Sequence, residues 1–196
     1  MQLFISHSSR DREWELVQKR VEAAGFKAYL AEHDLQPGRP LNDKIQEEIE
    51  SSDAVVVVLT SNAAASAIVR DEIGYALGKG KLVVALVTPD VARDPTKLGM
   101  LNGLEYIPFD IDNPQDGLLA LTDWANDLSR QKQQALQQAQ FLMFEAQQTQ
   151  LQSQQARLQA TTVDLARAQA QADAATMVLV LVGALLVVVV LSSGSK

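Results

Sequence analysis

Six consecutive apolar residues, mostly β-branched, constrain this chain more than anything else in it. Ala54 to Leu59 reads AVVVVL. The run is too short to be a helix of its own and carries no polar alternation, so it predicts a strand buried on both faces, as in a parallel sheet. Thr60-Ser61-Asn62 ends it, and a helix is expected from about Ser66 to Lys79. Ile68, Val69, Ile73, Ala76 and Leu77 recur at helical spacing and are expected to pack back on the sheet. Glu72 falls in the middle of that helix, near the carboxyl ends of the strands, where open α/β sheets bind their ligands.

The rest of the first 130 residues repeats this alternation. Gln2–Ser6 and Phe26–Leu30 read as strands, with a helix between them marked by Trp14, Val17, Val21 and Ala24 and stopped by Gly25. Glu32 to Pro40 reads as a loop, and Leu41, Ile45 and Ile49 space a second helix ending near Ser52. Leu82–Val87 is a fourth strand, Pro89–Gly103 is irregular, and Leu104–Phe109 holds a short fifth strand. Leu118, Leu121, Trp124 and Leu128 mark a helix over Asp116–Arg130. Strands and helices in alternation call for an α/β fold, a parallel sheet with helices on both faces.

After Arg130 the composition changes. Thirteen of the 30 residues at 131–160 are glutamine, with no Gly or Pro. A helix is compatible with this composition, and Phe144, Leu151, Leu158 and Leu165 fall in a seven-residue register. Their companions are mostly Gln and Thr, so the segment fits either a weak coiled coil or a solvated helical spacer. Residues 174–191 then contain 18 residues without a charge. That length meets the minimum for a helix crossing a bilayer core of ~30 Å, so a single carboxy-terminal transmembrane anchor is expected, with 192–196 as a short tail. A buried core helix is the alternative, but it needs a covering surface that the chain does not supply. The division expected is therefore 1–130, 131–173, 174–191 and 192–196. A first strand beginning at Gln2 leaves no room for a signal peptide, so the 1–130 domain is expected in the cytoplasm.

Composition removes several function classes. There is no cysteine and there are two histidines, His7 and His33, so neither disulfides nor a multi-histidine metal centre is expected. Up to Arg130 the chain holds 13 Lys/Arg against 21 Asp/Glu, a net −8, which argues against nucleic acid as a partner. The turn after the first strand is HSSR, so the glycine fingerprint of a dinucleotide-binding Rossmann unit is absent, as is a P-loop. A receiver domain needs an aspartate after the third strand, where this chain has Thr60. Ser6 and His7 are adjacent, but no acid is placed to orient the imidazole as in a hydrolase triad. His7 fits a capping or polar turn residue as well as a catalyst.

Three stretches taken in order carry a family resemblance: FISHSSRD at Phe4–Asp11, DLQPGR at Asp34–Arg39, and Ser61 through Ser66 to EIGYA at Glu72–Ala76. Together they resemble the signature regions of a bacterial TIR domain, over about residues 1–130. The resemblance implies a flavodoxin-like fold, a five-stranded parallel sheet wrapped by helices, with Glu32–Leu41 as a mobile loop beside the active cleft. Enzymatic members of the family cleave NAD+ between nicotinamide and ribose, giving ADP-ribose or a cyclic derivative, with NAD+ as substrate and no cofactor. Their S-x-W-x-x-x-E pattern falls here on Ser66, Ile68 and Glu72, so the glutamate is kept and isoleucine stands in place of tryptophan. The resemblance makes Glu72 the catalytic residue and places Phe4, Ser6, Ser8, Leu41 and Ile68 at the nucleotide cleft. A carboxylate suits this chemistry because the departing base leaves an oxocarbenium-like ribose.

From spacing alone Glu72 also fits an exposed helix carboxylate paired with Arg70 or Lys79, and Phe4 fits core packing. The function implied is a membrane-anchored NAD+ glycohydrolase or cyclase in antiphage defence or stress signalling. It would work as a homo-oligomer through TIR–TIR contacts and the helical stalk. The alternative is a non-catalytic TIR scaffold at the membrane. A third reading, a membrane-disrupting effector, fits poorly with a span that has no polar face.

Overall fold

The structure, a computed structural model, describes residues 1–30 and 40–193, with side chains as far as 180. The chain divides into two compact units, Met1–Gln133 and Gln134–Lys196.

The first unit is built on the apolar run. Strand β3, Ala54–Leu59, is buried at every position. It lies at the centre of a five-stranded sheet ordered β2-β1-β3-β4-β5. The other strands are β1 (Gln2–Ser6), β2 (Lys27–Tyr29), β4 (Leu82–Val87) and β5 (Ile107–Pro108). Every pairing is parallel, with Ser6 opposite Val57 and Leu59 opposite Val87. A two-residue alternation then sorts the core into two layers. Leu3 and Ile5 of β1, with Val56 and Val58 of β3, pack on one face with Val17 and Val21 of helix α1 (Trp14–Ala23) and Leu118, Leu121 and Ala125 of helix α6 (Gln115–Ser193). Phe4 of β1, with Val55, Val57 and Leu59 of β3, packs on the other face with Ile45 and Ile49 of α2 (Leu41–Ser51) and Val69, Ile73 and Ala76 of α4 (Ala67–Gly78).

Chain reversal follows local chemistry. Gly25 follows α1 with φ +84°, the left-handed turn glycine allows. Thr60 starts a short helix α3 (Ser61–Ala65), its hydroxyl accepting from the Ala63 amide at 3.1 Å. Ser66 then caps α4 through the Val69 amide. Two serine/threonine caps in succession split what sequence spacing reads as one loop and one helix. The stretch expected to be irregular after β4 holds a short helix α5 (Pro89–Ala92) and a 3₁₀ segment, Pro95–Leu101. Both start at proline, whose fixed φ suits a first helical position.

Ile68 is a correction. Spacing groups it with the sheet-facing positions of its helix, yet its side chain is 57 % exposed while Val69 is fully buried. An apolar residue one position off the true stripe still satisfies a loose helical period, and the Ser66 cap sets the phase. The loop expected over Glu32–Pro40 falls almost wholly on residues 31–39, outside the described residues.

The second unit is helical, the continuation of α6 to Ser193. Phe144, Leu151, Leu158 and Leu165, the expected seam, are all more than half exposed. No helix among the described residues is long and apolar enough to cross a membrane. The span expected at 174–191 falls mostly beyond residue 180, outside the described side chains.

Candidate active site

In the order β2-β1-β3-β4-β5 the chain leaves β1 through α1 on one face and leaves β3 through α3 and α4 on the other. The carboxyl ends of β1 and β3 therefore form the topological switch point, the crevice where sheets of this kind hold ligands.

Two polar clusters occupy that end. In the first, Ser6 is the last residue of β1 and takes the place after Phe4 on the α2/α4 face. Its hydroxyl donates to Glu72 Oε2 at 2.5 Å, and both side chains are buried, at 1 % and 7 % exposure. Glu72 is thus not an exposed helix carboxylate. Lys79, one of the partners that spacing allowed it, pairs instead with Glu50 at 2.7 Å. A buried carboxylate is costly unless hydrogen-bonded, and the Ser6 hydroxyl supplies a charge-assisted bond to it.

Beside Glu72 opens a cleft of about 220 Å³ between α2 and α4. Asn42, Ile45 and Gln46 line it from α2; Ile68, Asp71, Glu72 and Tyr75 line it from α4. In the second cluster, Asp11 from the loop after β1 accepts hydrogen bonds from the Thr60 hydroxyl and from Asn62 Nδ2, the latter at 2.6 Å. This carboxylate pins the β1 loop to the end of β3. Trp14 Nε1 completes the link by donating to the Asp11 carbonyl at 3.0 Å.

The residues singled out by sequence fall into three groups. Glu72 and Ile68 line the cleft, and Ser6 lies behind it, reaching it only through its hydrogen bond to Glu72. Phe4 and Ser8 sit in structural positions: Phe4 has no exposed surface and stacks on Tyr29 at 5.9 Å, while Ser8 is buried, its hydroxyl accepting from the Arg10 amide at 3.2 Å. Leu41 is the first residue of α2 and 53 % exposed. His7 packs its ring against Trp14, centroids 4.8 Å apart, with Nδ1 3.4 Å from the Ile5 carbonyl. Among the described residues no group of three or more His, Asp or Glu is arranged to hold a metal ion.

Sequence reasoning missed Asn42, Gln46, Asp71 and Tyr75 on the cleft wall, and the Asp11–Thr60–Asn62 contacts. Tyr75 was open to inference, since positions three apart share a helix face and it follows Glu72 by three. Asn42 and Gln46 are also four apart on one face, but nothing in the chain says that face meets Glu72.

A family model described as TIR domain matches residues 3–122. No curated protein matches. Among solved structures, the chain resembles the TIR domain of the Toll-related receptor TRR-2 from Hydra magnipapillata, at 19 % identity over 65 % of this chain and 97 % of that one, with TM-score 0.50. That likeness is one of fold. Two further structures are similar at TM-scores below 0.5: the TIR domains of the activated Roq1 resistosome recognising the effector XopQ (19 % identity, 69 % of this chain, 76 % of that one, TM-score 0.44), and the CMP N-glycosidase BcmB of Clostridium botulinum (16 %, 62 %, 98 %, 0.43).

Proposed function

Given that this chain belongs to the TIR domain family, we propose that it cleaves the nicotinamide–ribose bond of NAD+, with Glu72 as the catalytic carboxylate. The observation that carries this reading is the Glu72 side chain, buried, held by Ser6 of the β1 end at 2.5 Å, and lining a cleft between α2 and α4. In the reaction the C1′–N bond breaks and its electron pair leaves with nicotinamide. Positive charge develops on the ribose ring, and a fixed carboxylate stabilises it without reorganising. Water adding to C1′ gives ADP-ribose and releases a proton; an internal nucleophile of the same nucleotide gives a cyclic product instead. Ser6 acts through Glu72 as a positioning residue, and Ile68 borders the substrate.

The test is incubation of the full-length chain, in detergent or vesicles, with NAD+ and detection of nicotinamide. Release by the parent and none by Glu72→Gln supports the reading. Equal release by both sinks the assignment of Glu72, and no release by the parent at high protein concentration leaves the scaffold reading in its place.

The same reading includes self-assembly and a membrane. The exposed apolar positions from Phe144 to Leu165 supply a surface for a second copy of the helix, and the uncharged residues 174–191 supply an anchor that leaves the TIR unit on the cytoplasmic side. Tethering of this kind raises effective concentration to the order of millimolar for short flexible linkers, enough to populate a weak TIR–TIR contact. Residues 1–130 alone are then monomeric and nearly inactive when dilute. Fusion to an unrelated parallel coiled coil restores cleavage, and Leu151→Asp with Leu158→Asp impairs the full chain. Activity in a dilute, monomeric fragment would refute this part. Extraction of the full chain by carbonate without detergent counts against the anchor.

A further inference from the structure

The cleft beside Glu72 must hold a planar heteroaromatic base if the proposed reaction occurs there, and this inference rests on that reading. Flat bases are held most effectively by a flat ring. Ile45 and Ile68 give the cleft aliphatic walls, Gln46 and Asp71 polar ones, and Tyr75 is the one aromatic residue among its described lining. Ile68, Glu72 and Tyr75 stand at i, i+4 and i+7, one stripe along the surface of α4. The ring and the carboxylate are thus neighbours three residues apart on one helix face, both lining the same cleft.

The ring is also fixed in place. Its hydroxyl donates to Glu50 of α2, and the Lys79 ammonium stands 5.2 Å from the ring centroid and 2.7 Å from the same Glu50. Lys79 is not among the residues lining the cleft, whereas Tyr75 is. The hydrogen bond to Glu50 raises the hydroxyl above its ordinary pKa. A ring already fixed loses little freedom when a base stacks on it.

We infer that Tyr75 is the stacking surface for the leaving base, a specificity determinant that selects a ribosyl compound with a flat aromatic base and sets its sugar carbon over Glu72.

The test measures NAD+ cleavage by the full-length chain in detergent for the parent, Tyr75→Phe, Tyr75→Leu, and Tyr75→Leu with Ile68→Trp. Stacking on a base is worth enough to move KM by about tenfold when the ring is lost. The expectation is a KM raised by about that factor in Tyr75→Leu with kcat less affected, a clearly smaller rise in Tyr75→Phe, which keeps the ring but loses its bond to Glu50, and recovery when tryptophan at position 68 puts a ring back in the same cleft. Parental KM in a folded Tyr75→Leu overturns the inference. So does equal loss in the Leu and Phe variants, which assigns the effect to the Glu50 hydrogen bond.

A second measurement leaves Tyr75 unaltered. In the Glu72→Gln protein, nuclear Overhauser contacts between the nicotinamide protons of NAD+ and the Tyr75 ring are expected, and their absence from a bound complex overturns the inference independently of any variant at that position. If the parent cleaves nothing but NAD+ binds against Tyr75, the catalytic reading fails and the stacking surface stands. If NAD+ does not bind at all, both fail.

Discussion

The two faces of the central sheet start from the same alternation and end differently. On the α1/α6 face, β1 contributes Leu3 and then Ile5, and the layer is apolar to its end. On the α2/α4 face, β1 contributes Phe4 and then Ser6, and the helix above contributes Glu72 in a row that otherwise buries Val69, Ile73 and Ala76. Within β1, one face stays apolar to the last residue it places; the other turns polar at the strand's end. The difference shows how little is needed to install a site on a parallel sheet. One hydroxyl and one carboxylate replace two apolar side chains where the strands end, and each partly offsets the other's cost of burial.

Exchanging residues across this divide tests it, and Glu72 gives the largest effect. Glu72→Gln keeps the size and the hydrogen bond to Ser6 but removes the charge. A loss of about 10²–10³ in turnover is expected, the scale for removing one preorganised electrostatic group, with the melting temperature close to the parent's by circular dichroism. Unfolding, rather than inactivation, would make Glu72 a structural residue.

Leu121 is the counterpart on the other face, with no exposed surface. Leu121→Ala should cost about 2–5 kcal/mol of stability by denaturant melts, with nicotinamide release per folded molecule unchanged. A change in KM there would mean the two faces are not independent.

Ser6→Ala comes next. It removes a buried hydrogen bond to a charged group, of the order of 1.5–3 kcal/mol. Roughly tenfold loss of kcat is expected with KM little changed, partly restored in Ser6→Thr, which keeps the hydroxyl. Equal loss in both variants would show that volume matters there rather than the bond.

The smallest effect lies at the other end of the strands, away from the site. Asp53 accepts from the Gln2 amide at 2.7 Å and from Lys132. Its partial burial works to raise its pKa, but the Lys132 ammonium and the Gln2 amide outweigh this and hold it below its ordinary value. A depressed carboxylate contributes stability that is fully present above the unfolded value of about 3.9 and is lost as pH falls through the folded value. The parent should therefore weaken more steeply below about pH 4 than Asp53→Asn does, in melting temperatures taken across that range. Parallel curves would remove Asp53 from the acid transition.

Much of the fold was legible because β3 is unambiguous: a run apolar on both sides has to be central in a parallel sheet, and the flanking elements then alternate around it. Ser6 and Glu72 were legible as candidates through the family signature. Their contact was not, because it joins residues 66 positions apart and depends on the register of β1 on β3. Phe4 and Ser8 carry the same signature but are buried, Phe4 in the layer beneath Ser6 and Ser8 in the turn beyond the strand, a depth that the motif does not show. Tyr75 went unnoticed for a related reason: a tyrosine on a helix becomes part of a cleft only when a second helix is laid beside it.

The enclosure of β3 by β1 on one side and β4 on the other also has a consequence in time. Its amides are bonded in neighbouring ladders and lie beneath side chains on both faces, so no small opening bares them to solvent. In deuterated water the amides of Val55 to Leu59 should be the last in the chain to exchange, at a rate set by unfolding of the whole unit, while Ile107 on the two-residue edge strand exchanges early.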